Sequence, residues 1–175
     1  MMNFWAALTL LGDPVIWSVS IIILILFYFG VKKKYIKIGP KQAHLPLLKK
    51  FLLLVIPVII VSMLGSEILK IIFQMPRPCV PCPGTGCNPY CPVTFSFPSG
   101  HTSTITGLVT ALFLVLRRNR YLFVYILVAL VAASRVALGV HTVSDVIAGF
   151  FVGMILTMLV WRYRKKLYRW EDEIL

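Results

Sequence analysis

Long apolar runs, three of them closed by clusters of lysine or arginine, recur along this chain, and nothing else restricts its fold so tightly. Several runs approach the ~20 residues that cross a bilayer as a helix. A soluble domain of 175 residues does not carry 59% hydrophobic residues and a mean hydropathy of +0.87. The sequence therefore predicts an all-α, polytopic membrane helix bundle forming a single domain over residues 1–175. Five spans are expected, at about Val15 to Val31, Phe51 to Phe73, Ser99 to Leu116, Tyr121 to Leu138 and Thr142 to Trp161. Span three is short, so its upper end should begin below the membrane surface.

Met1 to Gly12 is apolar but short and lacks the basic start and small-residue cleavage site of a signal peptide. It reads as an interfacial helix with Phe4 and Trp5 at the lipid boundary. Asp13-Pro14 suits the cap and first turn of span one. Between span two and span three lies a Pro- and Cys-rich loop, residues 74–98.

The cations orient the bundle. Seven lysines lie between Lys32 and Lys50, three arginines follow span three, and five cations follow span five, so 15 of 18 fall on one side. By the positive-inside rule that side is cytoplasmic, placing the N-terminus outside and the C-terminus inside. The basic loops also suit anionic lipid headgroups, although topology alone accounts for them. No nucleic-acid motif accompanies them. The three remaining cations, Lys70, Arg77 and Arg135, all sit toward the opposite face.

That face gathers three polar segments. Lys70 and Arg77-Pro78 leave span two, Pro98-Ser99-Gly100-His101 enters span three, and Ser134-Arg135 leads through Gly139 to His141 and Asp145. An ionisable side chain at membrane depth costs several kcal/mol unless paired or wet, so its presence calls for a function. Lys70, Arg77 and Arg135 supply charge for a phosphate, and the arginines can grip its oxygens through paired N–H bonds. Ser99 and Gly100 sit where a helix begins, with backbone N–H groups to offer an anion.

If a helix begins at about His141, Asp145 lies one turn on and can accept from one ring nitrogen. The other nitrogen is then free as a nucleophile, while His101 can protonate a leaving oxygen and later activate water. A buried ion pair that only orients two helices is the bland alternative. The outer-face acids reduce to Asp145 and Glu67, too few for a catalytic metal, so no metal or other cofactor is expected. Glu67, three residues before Lys70, reads as that lysine's partner. His44 has no assigned role.

Lys70 with Arg77-Pro78, Pro98-Ser99-Gly100-His101, and Ser134-Arg135 with His141 and Asp145 together resemble the three-part signature of the type 2 phosphatidic acid phosphatase superfamily. The resemblance covers the chain from about span two to span five. It implies His141 as nucleophile, Asp145 as its orienting partner and His101 as general acid. It also implies Lys70, Arg77, Ser99, Gly100 and Arg135 as phosphate-binding residues, and a lipid phosphate or diphosphate as substrate. The chain departs from the common six-span pattern, since one clear span precedes the helix carrying Lys70.

A metal-independent lipid phosphatase at the extracytoplasmic face is thus the expectation, with polyprenyl diphosphate the first substrate and phosphatidate or phosphatidylglycerol phosphate the second. A lipid phosphotransferase and a non-catalytic headgroup-binding membrane protein are the rivals. Cys79, Cys82, Cys87 and Cys91 suggest two disulfides, for which three pairings exist, or a structural zinc site. Gly149 and Gly153, one turn apart, suggest close packing within the chain, or a dimer.

Overall fold

The computed structural model describes residues 4–32, 45–82, 86–116 and 119–166, with side chains at 4–28, 50–82, 86–116 and 122–166. The basic positions Lys33, Lys34, Lys37, Lys41, Arg117, Arg118 and Arg169, together with His44, lie outside the described residues.

Among the described residues six α-helices make the bundle: α1 (Phe4–Thr9), α2 (Pro14–Lys32), α3 (Leu45–Phe73), α4 (Gly100–Leu116), α5 (Tyr125–Ala137) and α6 (Val143–Arg162). The described residues form no β-strand beyond an isolated bridge between Pro81 and Asn88. By length and apolarity, Lys50–Phe73 and Val143–Arg162 can each cross a membrane. Phe4–Gly12 and Pro14–Tyr28 qualify together as one bent span, with a 54° break between them. At 17 and 13 residues, α4 and α5 fall short of the ~20 that a full crossing needs. The run expected as span four opens instead as a 3-10 turn, Asn119–Val124, whose larger rise per residue stretches the same segment further.

The packing is inverted relative to a soluble bundle. On α6 the buried face holds Asp145, Val146, Gly149, Gly153 and Thr157, while Ile147, Phe151, Ile155 and Met158 are exposed at helical spacing. Small residues inside and large apolar ones outside suit helices that gain nothing by hiding leucine from lipid and everything by close backbone approach. Central α4 is buried from Thr102 to Ala111, mostly Thr, Ser, Gly and Ala.

Its neighbours reach it where side chains vanish. A Cβ at Gly149 would lie 2.5 Å from the Ser99 carbonyl oxygen, and one at Gly153 would strike the Ser103 carbonyl oxygen. The two glycines therefore pack α6 against α4 of the same chain. An apolar core of Leu52, Leu54, Val55, Val58, Leu108 and Ala111 holds α3 to α4, joined by Ile21 of α2.

The N-terminal segment is more than an interfacial helix. Phe4 and Trp5 are exposed, as expected, but Ala6 is buried against Cys91, Leu138 and Val140. Its 3-10 turn, Leu10–Gly12, runs into the bundle, where Gly12 packs on Val131 and on the backbone of His101. Apolar patterning alone could not reveal this, because the contacts form with α4 and α5, about a hundred residues away.

Candidate active site

The three motif segments and the α1–α2 break meet at one end of the bundle. They enclose a cavity of about 170 Å³, lined by Lys70, Arg77, Gly100, His101, Arg135 and His141 among others. Ser99 and Asp145 stand behind this lining.

Local rules bring the third segment into place. α5 ends through Leu138, whose N–H donates to Ser134 O, and Gly139 at φ +67°, a left-handed conformation that glycine adopts without a Cβ clash. α6 then begins at Val143, two residues later than the spacing suggested, because Thr142 is its cap. The Thr142 hydroxyl accepts from Asp145 N at 3.3 Å and the Asp145 carboxylate accepts from Thr142 N at 2.8 Å. His141 thus precedes the helix instead of starting it. Its Nδ1 nonetheless lies 3.3 Å from Asp145 Oδ2.

Ser96 Oγ also donates to Asp145 Oδ2 in a very short contact. One carboxylate oxygen therefore accepts from a hydroxyl, a backbone N–H and the imidazole. With Nδ1 carrying the proton toward Asp145, Nε2 keeps its lone pair and can accept from Arg77 Nη1 at 3.1 Å. Burial first, then the nearby Arg77 and Arg135 cations, push the His141 imidazole down to about 3 against the opposing pull of Asp145. The ring is accordingly neutral at ordinary pH, the state in which a nitrogen can attack.

Arg77 reaches the site because α3 stops at Phe73. Gln74 follows at φ +48°, its N–H donating to Lys70 O, and the chain turns back. The guanidinium then acts as a clip. Nε donates to Thr94 O at 2.7 Å, Nη2 to Thr94 Oγ1 at 3.0 Å and Phe95 O at 3.1 Å, and Nη1 to Val140 O at 2.9 Å. Most of its N–H groups are thus committed to the protein. Burial pulls its affinity for the proton below the ordinary arginine range, while Asp145 and Glu67 oppose that shift.

Arg135 differs. It is 5% exposed, its Nη1 donates to Thr9 Oγ1 at 2.8 Å, and its Nε is buried without a protein partner. Arg135 lines the cavity, and a buried guanidinium N–H without a partner is a ready donor for a phosphate oxygen.

Lys70 reaches the cavity from α3, with Nζ 2.5 Å from Glu67 Oε1, the expected pair. A Cβ at Gly100 would still sit 3.8 Å from that Nζ, so the glycine leaves the first turn of α4 open to a ligand. Ser99 is fully buried. Its N–H donates to Asp145 O at 3.0 Å and its hydroxyl accepts from Thr102 Oγ1 at 3.1 Å. It therefore joins the start of α4 to the first turn of α6, setting His101 and His141 in register.

Four residues around the site escaped sequence reading. Thr94 and Ser96 lie in the loop before Pro98 with no spacing that marks them. Thr9 and Asp13 belong to a segment whose apolarity drew attention elsewhere. Asp13 alone carried a signal, an acid at the outer end of span one that the count of outer-face acids passed over because it read only as a cap. It does cap α2, accepting from Val15 N at 2.8 Å, and its Oδ2 lies 3.8 Å from His101 Nε2.

The four cysteines form two nested disulfides, Cys79–Cys91 and Cys82–Cys87, which leaves no thiolate for zinc. Asn88, inside the outer ring, donates from Nδ2 to Leu138 O at 2.6 Å and ties the loop to the α5–α6 turn. Among the described residues no three His, Cys, Asp or Glu side chains converge as a metal site.

Comparison with known proteins accords with this geometry. Phosphatidylglycerophosphatase B of Bacillus subtilis is 38% identical over 90 residues, covering 46% of this chain and 44% of the relative. Lipid A 4'-phosphatase of Porphyromonas gingivalis is 35% identical over 69 residues, covering 39% of this chain and 29% of the relative. The chain thus matches less than half the length of these curated relatives.

Among solved structures, LpxE of Aquifex aeolicus superposes with a TM-score of 0.66 at 22% identity, covering 91% of this chain and 84% of that one. The first transmembrane PAP2-type phosphatidylglycerolphosphate phosphatase from Bacillus subtilis superposes with a TM-score of 0.60 at 24% identity, covering 93% and 75%. At such identities the likeness speaks for the fold. The family model of the PAP2 superfamily matches residues 51–169, about two thirds of the chain and all three motif segments, and the chain belongs to that superfamily.

Proposed function

We propose that the chain is a membrane-embedded, metal-independent lipid phosphatase, built as one domain over residues 1–175 with its site at the extracytoplasmic face. The observation that carries the reading is the single cavity in which His141, held by Asp145, faces His101, Lys70 and two arginines. Binding a headgroup would need the cations; it would not need a buried carboxylate behind a neutral imidazole.

The substrate phosphate enters beside Arg135 and Lys70, its oxygens taking the free N–H of Arg135 and the Lys70 ammonium. His141 Nε2 attacks phosphorus in line with the leaving oxygen. The N–P bond forms as the P–O bond breaks, and the proton of Nδ1 stays on the ring, which becomes cationic against Asp145. His101 delivers a proton to the departing oxygen. Water activated by the same residue then cleaves the phosphohistidine and restores both histidines. Arg77 acts chiefly by charge and by holding Val140 and His141 still.

At about 170 Å³ the cavity suits a phosphate headgroup, while the tail stays in lipid past Pro14 and Met63 on its rim. Polyprenyl diphosphate remains the first substrate to test. Phosphatidylglycerol phosphate is the second, supported by the substrate for which a curated relative and a structural neighbour are named. The decisive experiment is phosphate release from each lipid in detergent micelles with a chelator present, comparing the native chain with His141→Ala. Release by the native chain and none by the variant is the expected result. Equal release by both, or none by the native chain, refutes the reading, and transfer of phosphate to a second lipid instead of water would make it a phosphotransferase.

A further inference from the structure

The α1–α2 break brings an acid beside His101, one of the residues that line the cavity. We infer that Asp13 is the positioning residue for His101, as Asp145 is for His141, so that the N-terminal segment completes the proton-donating half of the site. This rests on the phosphatase reading above.

Three observations carry it. First, the two oxygens of Asp13 have separate work: Oδ1 accepts from Val15 N at 2.8 Å and Ile16 N at 3.4 Å as the cap of α2, which leaves Oδ2 facing His101 Nε2 at 3.8 Å. Second, the acid is held there by packing. Gly12 lies so close that a Cβ on it would meet His101 O at 3.0 Å and His101 Cβ at 3.2 Å. The turn itself is closed by Asp13 N donating to Leu10 O at 3.1 Å and Trp17 Nε1 donating to Leu11 O at 2.6 Å. Third, the charges acting on the His101 ring are the cations Arg135, Lys70 and Arg77, with Asp13 as their one counterweight. The same segment supplies Thr9, which accepts from Arg135 Nη1 at 2.8 Å.

A general acid must hold its proton, in one orientation, until the leaving oxygen takes it. An imidazole facing three cations with no anion beside it would neither keep a proton readily nor have a partner to fix its ring. Asp13 opposes those cations and gives the ring its partner. In the first step the N–P bond to His141 forms, the P–O bond breaks with its electron pair on the leaving oxygen, and the His101 proton moves to that oxygen.

Leaving-group acidity separates this role from mere packing, because a good leaving group departs without protonation. The test is kcat/KM, which reports the first irreversible step, for phenyl phosphate and 4-nitrophenyl phosphate with the native chain and Asp13→Asn in detergent. The substrates share a shape and differ in leaving group, and asparagine retains the helix cap. Asp13→Asn should lower kcat/KM for phenyl phosphate by about 10- to 100-fold, at least tenfold more than for 4-nitrophenyl phosphate. Adding it to His101→Ala should cause no further loss. Asp13→Ser, which also caps, should repeat the pattern and replaces Asp13→Asn if that variant does not fold. An equal loss with both substrates, or none with either, overturns the inference. Turnover of neither substrate or of any lipid by the native chain would instead refute the phosphatase reading, and this proposal with it.

Discussion

Asp145→Asn isolates one electrostatic effect, because the hydrogen bonds to this side chain converge on a single oxygen. Ser96 Oγ, Thr142 N and His141 Nδ1 all meet Oδ2. An asparagine with its carbonyl in that place accepts all three, keeps the capping box and keeps the Nδ1 proton where it is. What disappears is the negative charge. At the 3.3 Å separation from Nδ1, Coulomb's law gives about 5 kcal/mol between unit charges for an effective dielectric of about 20. If the amide dipole retains about half of that for a cationic phosphohistidine, the loss is about 2.5 kcal/mol. At about 1.36 kcal/mol per decade, kcat/KM should fall by roughly 10²-fold.

Stability should respond differently to the two obvious substitutions. Asp145→Asn should melt within a few degrees of the native chain. Asp145→Ala leaves the Thr142 N–H and Ser96 hydroxyl without their acceptor, at about 1–3 kcal/mol each. Steady-state phosphate release and thermal melting in the same detergent measure both. Asp145→Asn activity within tenfold of native would refute the charge argument, and a collapse of its melting temperature would refute the single-acceptor geometry.

Three further outcomes are expected. His141, whose imidazole is pushed down to about 3 chiefly by burial, should stay neutral at pH 5, where a ring of ordinary value is mostly protonated; NMR of labelled histidine, assigned with His141→Ala, reads this directly, and half-protonation near 6.5 would refute it. The linkage sign follows, since the unfolded ring binds its proton more readily: stability is full above about pH 6.5 and declines as pH falls toward that lowered value. Gly149→Ala would place its Cβ 2.5 Å from Ser99 O, so α4 and α6 must separate at about 1–3 kcal/mol; activity should drop with stability, because His101 lies on α4 and His141 directly precedes α6, and unchanged melting would sink the packing argument. Replacing Cys79 and Cys91 together by Ser opens a ring with a sequence separation of 12 and should cost about 3 kcal/mol by loop entropy. Losing Cys82–Cys87, separation 5, should cost about 2 kcal/mol; non-reducing peptide mapping and melting check the pairing and the order.

Much of the fold was legible because its causes are local. Apolar runs ended by cations mark helix ends within a few residues, as Leu116 and Arg162 show. Thr142 and Asp145, three apart, contain a capping box in themselves, although reading them as helix and not as cap placed the start of α6 two residues early. The 3-10 opening of the fourth segment left no mark in hydropathy, which does not distinguish one helical pitch from another.

The sequence by itself determined the chemistry on offer: which side chains carry charge among apolar neighbours, and that the three motif segments share one face of the bundle. Spacing along the chain and the handedness of helices suffice for that. Only the tertiary structure decided how each polar atom is used. Arg77 gives most of its donors to backbone carbonyls, Arg135 keeps one free, Ser96 meets Asp145 across 49 positions, and Thr9 meets Arg135 across 126. These partners are chosen when the helices close and water is excluded, because a buried donor must then take whichever acceptor packing has brought within reach. No pattern within one segment records that choice.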